Sequence, residues 1–234
     1  MAKSAEKDRK ARIEEMRKAQ QAADRRRTML IVGAALLVVL VLAGLVTKVI
    51  LDTQAERDMT LVGQPVAAAK CDAVTTDDAT GSGVHVGPGT DQPTVSKVDY
   101  KTVPPSSGNH FPEPEYPARA FYTADDRPAL ESLVHNLEHG YTIAFYDKAT
   151  PADQIEQLKK IADLARKDES TKGKFIAVAW DETRGAFPPG KTVALSHWGA
   201  KTGHRQFCGA VSGAAVKSFI EAYPSSNAPE PNAA

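Results

Sequence analysis

The chain has 234 residues, 29 Lys or Arg against 29 Asp or Glu, and two cysteines. That length accommodates one ordinary core, or two small ones, once non-globular pieces are set aside. Residues 1–27 hold ten basic and five acidic residues, leaving 19 basic and 24 acidic in the rest, so no concentrated basic surface exists for nucleic acid, which is not an expected partner.

The uncharged run "TMLIVGAALLVVLVLAGLVT", Thr28 to Thr47, has about the 20 apolar residues that a helix needs to cross a bilayer at 1.5 Å per residue. A cleaved signal peptide is the competing reading. The run is long for one, its basic flank is 27 residues long, and no small-residue cleavage site stands out. An uncleaved signal anchor over residues 28–51 is therefore expected, with the lipid bilayer as partner. Arg25, Arg26 and Arg27 end the basic segment, whereas Lys48 is soon answered by Asp52, which places the N-terminus in the cytoplasm and everything after Leu51 outside the cell membrane.

Residues 52–70 read as a stalk. Residues 71–223 read as an extracytoplasmic domain whose first part, Cys71 to Pro117, is rich in Gly, Pro, Thr, Ser and Asp and has little apolar periodicity. A loop of such length inside a domain is often functional. Regular structure starts near Asp126. "DRPALESLVHNLEHG" has Pro128 near the first turn, Leu130, Leu133, Val134 and Leu137 at helical spacing, and Gly140 as a stop. "YTIAFY" predicts a buried strand, and Thr150 and Pro151 open a helix whose buried face carries Ile155, Leu158, Ile161, Ala162 and Ala165. "KFIAVAW" and "TVALSHW" predict two more strands, and Ser212 caps a helix ending near Tyr223. Strand, helix, strand predicts a parallel pair, with the third strand returning antiparallel. The expected fold is α+β, a mixed sheet with flanking helices. The tail 224–234, "PSSNAPEPNAA", predicts disorder.

Cys71 and Cys208 both come after the apolar run, on the side where oxidation is permitted, and a disulfide between them is expected. In the chain-entropy model it contributes on the order of 4 kcal/mol. They lack Cys-x-x-Cys spacing, so nothing local favours a thiolate metal pair.

On a helical wheel Leu133, Val134 and Leu137 share one arc, and Glu131, His135, Glu138 and His139 the next. Residues four apart on a helix are neighbours, so His135 and His139 can converge on one ion. Further ligands would come from His110 in "PPSSGNHFPEP" or His85 in "GSGVHVGPG", with His197 and His204 as lesser candidates. Zinc or oxidised copper suits such donors, and the exported part has only Met59 to offer reduced copper. "HNLEH" also matches H-x-x-E-H, the inverted zinc-protease signature, in which Glu138 would be the general base. A metal-free reading stands beside both: His139 at the helix C-terminus, favoured by the negative end of the dipole, His135 bonded to Glu131, and the domain an envelope scaffold.

Together "PPSSGNH" and "HNLEHG" resemble the signature of a membrane-anchored bacterial family catalogued as a domain of unknown function, number 3105. Its pattern runs Pro-Pro-Thr-Ser-Gly-x-His, then His-Asn-x-Glu-His-Gly before a strand, with a further His in a Gly-rich segment upstream. The likeness spans about residues 71–200. It maps His110 onto the first motif, His135, Asn136, Glu138, His139 and Gly140 onto the second, and His85 onto the upstream position. Ser106 stands where the family has Thr, and Asn109 where it often has Pro. The family carries no established activity. The site expected from these residues binds a transition metal through His110, His135 and His139, with His85 as fourth ligand and Glu138 orienting them or acting as base. An envelope protein is expected as a further partner.

Overall fold

The computed structural model describes residues 2–233. The chain divides into two units, Met1–Glu56 and Arg57–Ala234, each taken by itself. The first consists of helix α1 (Ala2–Arg57), which runs without a break through the basic segment and the apolar run. The large apolar side chains from Met29 to Leu51 stand exposed all around it. Among the described residues this is the one helix long and apolar enough to cross a membrane, a property shared by membrane anchors and signal sequences.

The second unit is α+β, built on a mixed six-stranded sheet. Its elements are α2 (Val66–Ala69), β1 (Thr75–Asp78), β2 (Phe121–Tyr122), α3 (Leu130–Glu138), β3 (Thr142–Tyr146), α4 (Ala152–Ala165), β4 (Phe175–Ala179), β5 (Val193–Trp198), β6 (Thr202–Cys208) and α5 (Gly213–Ala222). The strand order is β1-β6-β5-β3-β4-β2. Strands β3 and β4 are parallel, connected through α4, and β5 returns antiparallel to β3, as the element pattern predicts. The sheet extends beyond the three expected strands: β6 pairs with β5, β1 with β6, and the two-residue β2 with β4. These additions form the flanks of the sheet, where short or polar strands carry weak sequence signals.

Side chains of a strand alternate between faces. Along β4, Phe175 and Ala177 face a core made with Leu158 and Ile161 of α4 and Val216, Phe219 and Ile220 of α5. Ile176 and Val178 face the other way, onto Leu130, Leu133, Val134 and Leu137 of α3. Burial on both faces explains why the central strands read as continuous apolar runs.

Three boundaries differ from the pattern reading. The expected stalk is divided: α1 continues to Arg57, and Met59 and Val62 then pack into the α4/α5 core. Gly213 lies so close to this segment that a Cβ there would collide with the Met59 carbonyl oxygen, so no larger residue fits without movement. Helix α4 starts at Ala152 with Pro151 at its cap position, and the Thr150 hydroxyl donates instead to the Thr192 carbonyl, at 3.0 Å. The C-terminal residues, whose composition predicts disorder, are tied down: the N–H groups of Ser225, Ala200 and Glu230 donate to the carbonyls of Ser170, Asn227 and Glu138. A disulfide joins Cys71 to Cys208 across 137 residues.

Candidate metal centre

The long irregular segment before α3 is anchored at several points. The Ser196 hydroxyl of β5 donates to the Pro105 carbonyl at 2.6 Å, Ser106 donates to Asp77 of β1 at 3.2 Å, and Tyr100 donates to the Asn109 carbonyl at 2.9 Å. Ser106 is buried in this role. The "PPSSGNH" stretch is thereby fixed on the α3 face of the sheet. A parallel bridge then pairs His110 with His85: Val86 N–H donates to the His110 carbonyl at 2.8 Å and His110 N–H to the Val84 carbonyl at 3.2 Å. Two distant loop segments thus place their histidines side by side.

Helix α3 supplies the facing donors. His135, His110 and Glu138 are buried while His85 is exposed, and one donor atom from each of the four lies within 4.8 Å of every other. Donors about 2.0–2.1 Å from one ion sit no more than about 4.2 Å apart, so closing this group on an ion takes sub-ångström movements. The rings of His85 and His110 lie 4.9 Å apart, those of His85 and His135 4.9 Å, and those of His110 and His135 4.6 Å.

Backbone carbonyls select the tautomers. His110 Nδ1 lies 2.8 Å from the Gly108 carbonyl and His135 Nδ1 lies 2.7 Å from the Phe111 carbonyl. A carbonyl only accepts, so each Nδ1 carries the proton and each neutral Nε2 presents a lone pair, the outer arrangement that orients metal-ligating histidines. His110 Nε2 then faces Glu138 Oε2 at 2.9 Å, with both side chains fully enclosed. For a neutral His110 this is acceptor against acceptor. Neither atom has a hydrogen bond of suitable geometry among the described residues. A buried contact of this kind requires a cation between the two atoms or a proton on Nε2.

Glu138 Oε1 is satisfied separately, accepting the Gly83 N–H at 2.7 Å. Burial pushes this carboxyl up, but in the metal-free protein a proton on His110 Nε2, the Gly83 amide and the Ser82 hydroxyl outweigh it and hold the group down at about 2. It is an anion at neutral pH. Burial, reinforced by the neighbouring imidazoles and opposed by the Phe111 carbonyl, lowers His135 to about 4, which leaves its lone pair available.

His139 lies outside this convergence. Its ring meets that of His135 edge-on at 4.4 Å, and its Nε2 lies 3.5 Å from Glu230 Oε2 in the C-terminal segment. Positions three and four apart from His135 are both its helical neighbours, and here the loop meets the helix on the Glu138 side. Glu131 does not bond His135; it takes Arg184 through two bonds of 2.9 and 3.1 Å and the Val98 N–H at 2.8 Å. His197 and His204 face each other across β5 and β6 on the α4/α5 side of the sheet, away from the four donors. The site parts that residue types did not reveal are main-chain groups: the Gly83 amide and the Gly108 and Phe111 carbonyls.

No curated protein and no solved structure matches the chain significantly. A family model described as "Protein of unknown function (DUF3105)" matches residues 92–234, which include His110 and all of the α3 motif. The chain belongs to this DUF3105 family.

Proposed function

We propose that this is a membrane-anchored protein whose second unit lies outside the cytoplasm and holds one zinc or copper ion through His85, His110, His135 and Glu138. The observation that carries the reading is the enclosed approach of His110 Nε2 to Glu138 Oε2, with the histidine proton already committed to a carbonyl. The positive-inside bias of residues 1–27 supports a cytoplasmic N-terminus, and the Cys71–Cys208 disulfide suits an oxidising compartment. Three imidazoles and a carboxylate suit zinc or oxidised copper, and both cysteines are engaged with each other. His139, packed against His135, supports the site from outside.

The hydrolase reading gives Glu138 the role of general base. Its carboxylate is enclosed, one oxygen holds the Gly83 amide, and the other lies 2.9 Å from His110 Nε2 inside the donor set itself, where a ligand would sit. A ligand role fits it better.

The test is elemental mass spectrometry on the untagged full chain in detergent, beside a His110→Ala, His135→Ala variant and Glu138→Gln. About one ion per chain is expected in the parent, with loss in the double variant and reduced occupancy in Glu138→Gln. Full occupancy in Glu138→Gln would favour the base role. No ion in the parent after incubation with zinc and copper would leave a metal-free scaffold, with the His110–Glu138 contact a buried ion pair.

A further inference from the structure

Resting on the metal reading above, we propose that His85 is the labile ligand of the centre, and that its coordination position exchanges with a neutral nitrogen donor, the imidazole of a partner protein or of a free molecule.

The four donors are not equivalent. His110, His135 and Glu138 are 0%, 5% and 0% exposed, whereas His85 faces solvent. The two buried imidazoles are each locked by a carbonyl, and Glu138 is locked by an amide. His85 has only ring contacts, with His110 and His135, and no side-chain hydrogen bond holds it among the described residues. Removing it from an ion therefore breaks one metal–nitrogen bond and no supporting bond.

The backbone around it, by contrast, is fixed. Gly83 N–H is bound to Glu138, and the amide and carbonyl on either side of His85 pair with His110. The ring can swing by side-chain rotation alone while the three other ligands and the loop stay in place. Exchange then proceeds with the bond from His85 to the ion breaking and a bond from the incoming imidazole nitrogen forming, with no change of oxidation state. The same opening, the solvent-facing corner of the donor set, is the route by which the ion enters and leaves.

The test compares full-length wild type, His85→Ala, His85→Gln and His110→Ala, each loaded with Cu(II). Metal content is measured first; an empty wild type would overturn the metal reading itself rather than the assignment of His85. Both His85 variants are expected to keep close to one ion per chain and to release it to excess EDTA at least about tenfold faster than wild type. Millimolar free imidazole should slow release from His85→Ala back towards the wild-type rate and restore the nitrogen hyperfine pattern in its electron paramagnetic resonance spectrum. His110→Ala should lose the ion, with no rescue. The proposal falls if the His85 variants lose the ion as His110→Ala does, if their release rates equal that of wild type, or if imidazole changes neither rate nor spectrum.

Discussion

The imidazole of His197 is fully enclosed, with Nδ1 3.2 Å from the Thr142 hydroxyl and Nε2 lacking a hydrogen-bond partner among the described residues. Across the strand pair, His204 stacks on Tyr223 with ring centroids 3.9 Å apart. Among the described residues no third donor joins these two histidines in a metal-holding group, so burial acts here as an energetic load and not as the wall of a site. Burial, with a smaller contribution from His204, holds His197 down at about 4. In the unfolded chain the group titrates near its ordinary value of about 6.5, so between pH 6.5 and 4 the unfolded state binds more protons. Stability is therefore full above about pH 6.5 and falls as the pH drops towards 4, by on the order of 3 kcal/mol for this residue. His135 titrates in the same sense in the metal-free protein. His197→Gln, which keeps a partner for Thr142 and removes the titration, should flatten the dependence without abolishing it. Urea unfolding of the metal-free chain at about pH 4.5 and about pH 7 measures this; an unchanged difference between the two pH values would show that His197 protonates without resistance.

Among the elements, the C-terminal segment after α5 is the clearest case of order without an apolar pattern. Lys174 Nζ donates to the carbonyls of His139, Pro231 and Ala233, and Glu230 N–H donates to the carbonyl of Glu138, so the segment closes over the C-terminal end of α3, which carries two of the candidate donors. A chain ending at Tyr223 keeps the Lys174–His139 bond but loses those to Pro231, Ala233 and Glu230, the Ser225 and Asn227 pairings and the burial of Ala228. At about 0.5–1.5 kcal/mol per bond, the expected loss is about 3 to 7 kcal/mol, seen as a lower thermal midpoint together with weaker metal retention. Truncation that leaves both unchanged would mean that the segment only rests on the surface. Backbone bonding of this kind depends little on side-chain type, which is why "PSSNAPEPNAA" reads as disorder. The same reason hides β1 and β6: the central strands announce themselves through runs such as "FIAVA", while "TTDD" and "TGHRQFC" pair through main-chain groups at the flank. At the centre, residue types and helical spacing single out His85, His110, His135, Glu138 and His139. Which of the last two faces the loop depends on where that loop crosses α3, and no local pattern encodes it.

At the scale of the whole second unit, one covalent tie spans most of the chain beyond Arg57. The Cys71–Cys208 bond closes 137 residues, which in the chain-entropy model removes on the order of 4 to 5 kcal/mol of freedom from the unfolded state. Domains of this size are stable by about 5–15 kcal/mol, so the bond is a large share of the total. Cys208 packs with the α4/α5 core, whereas the four candidate donors lie across the sheet with α3. Mutations that share no partners act additively to within about 0.5 kcal/mol. The Cys71→Ser, Cys208→Ser variant should therefore unfold at a markedly lower urea concentration yet still bind metal while folded. Combining it with His110→Ala, His135→Ala should give the sum of the two separate losses, measured with zinc present throughout. A coupling above about 1 kcal/mol would mean that the two faces of the sheet are not independent, and that reduction of the disulfide would reach the metal centre.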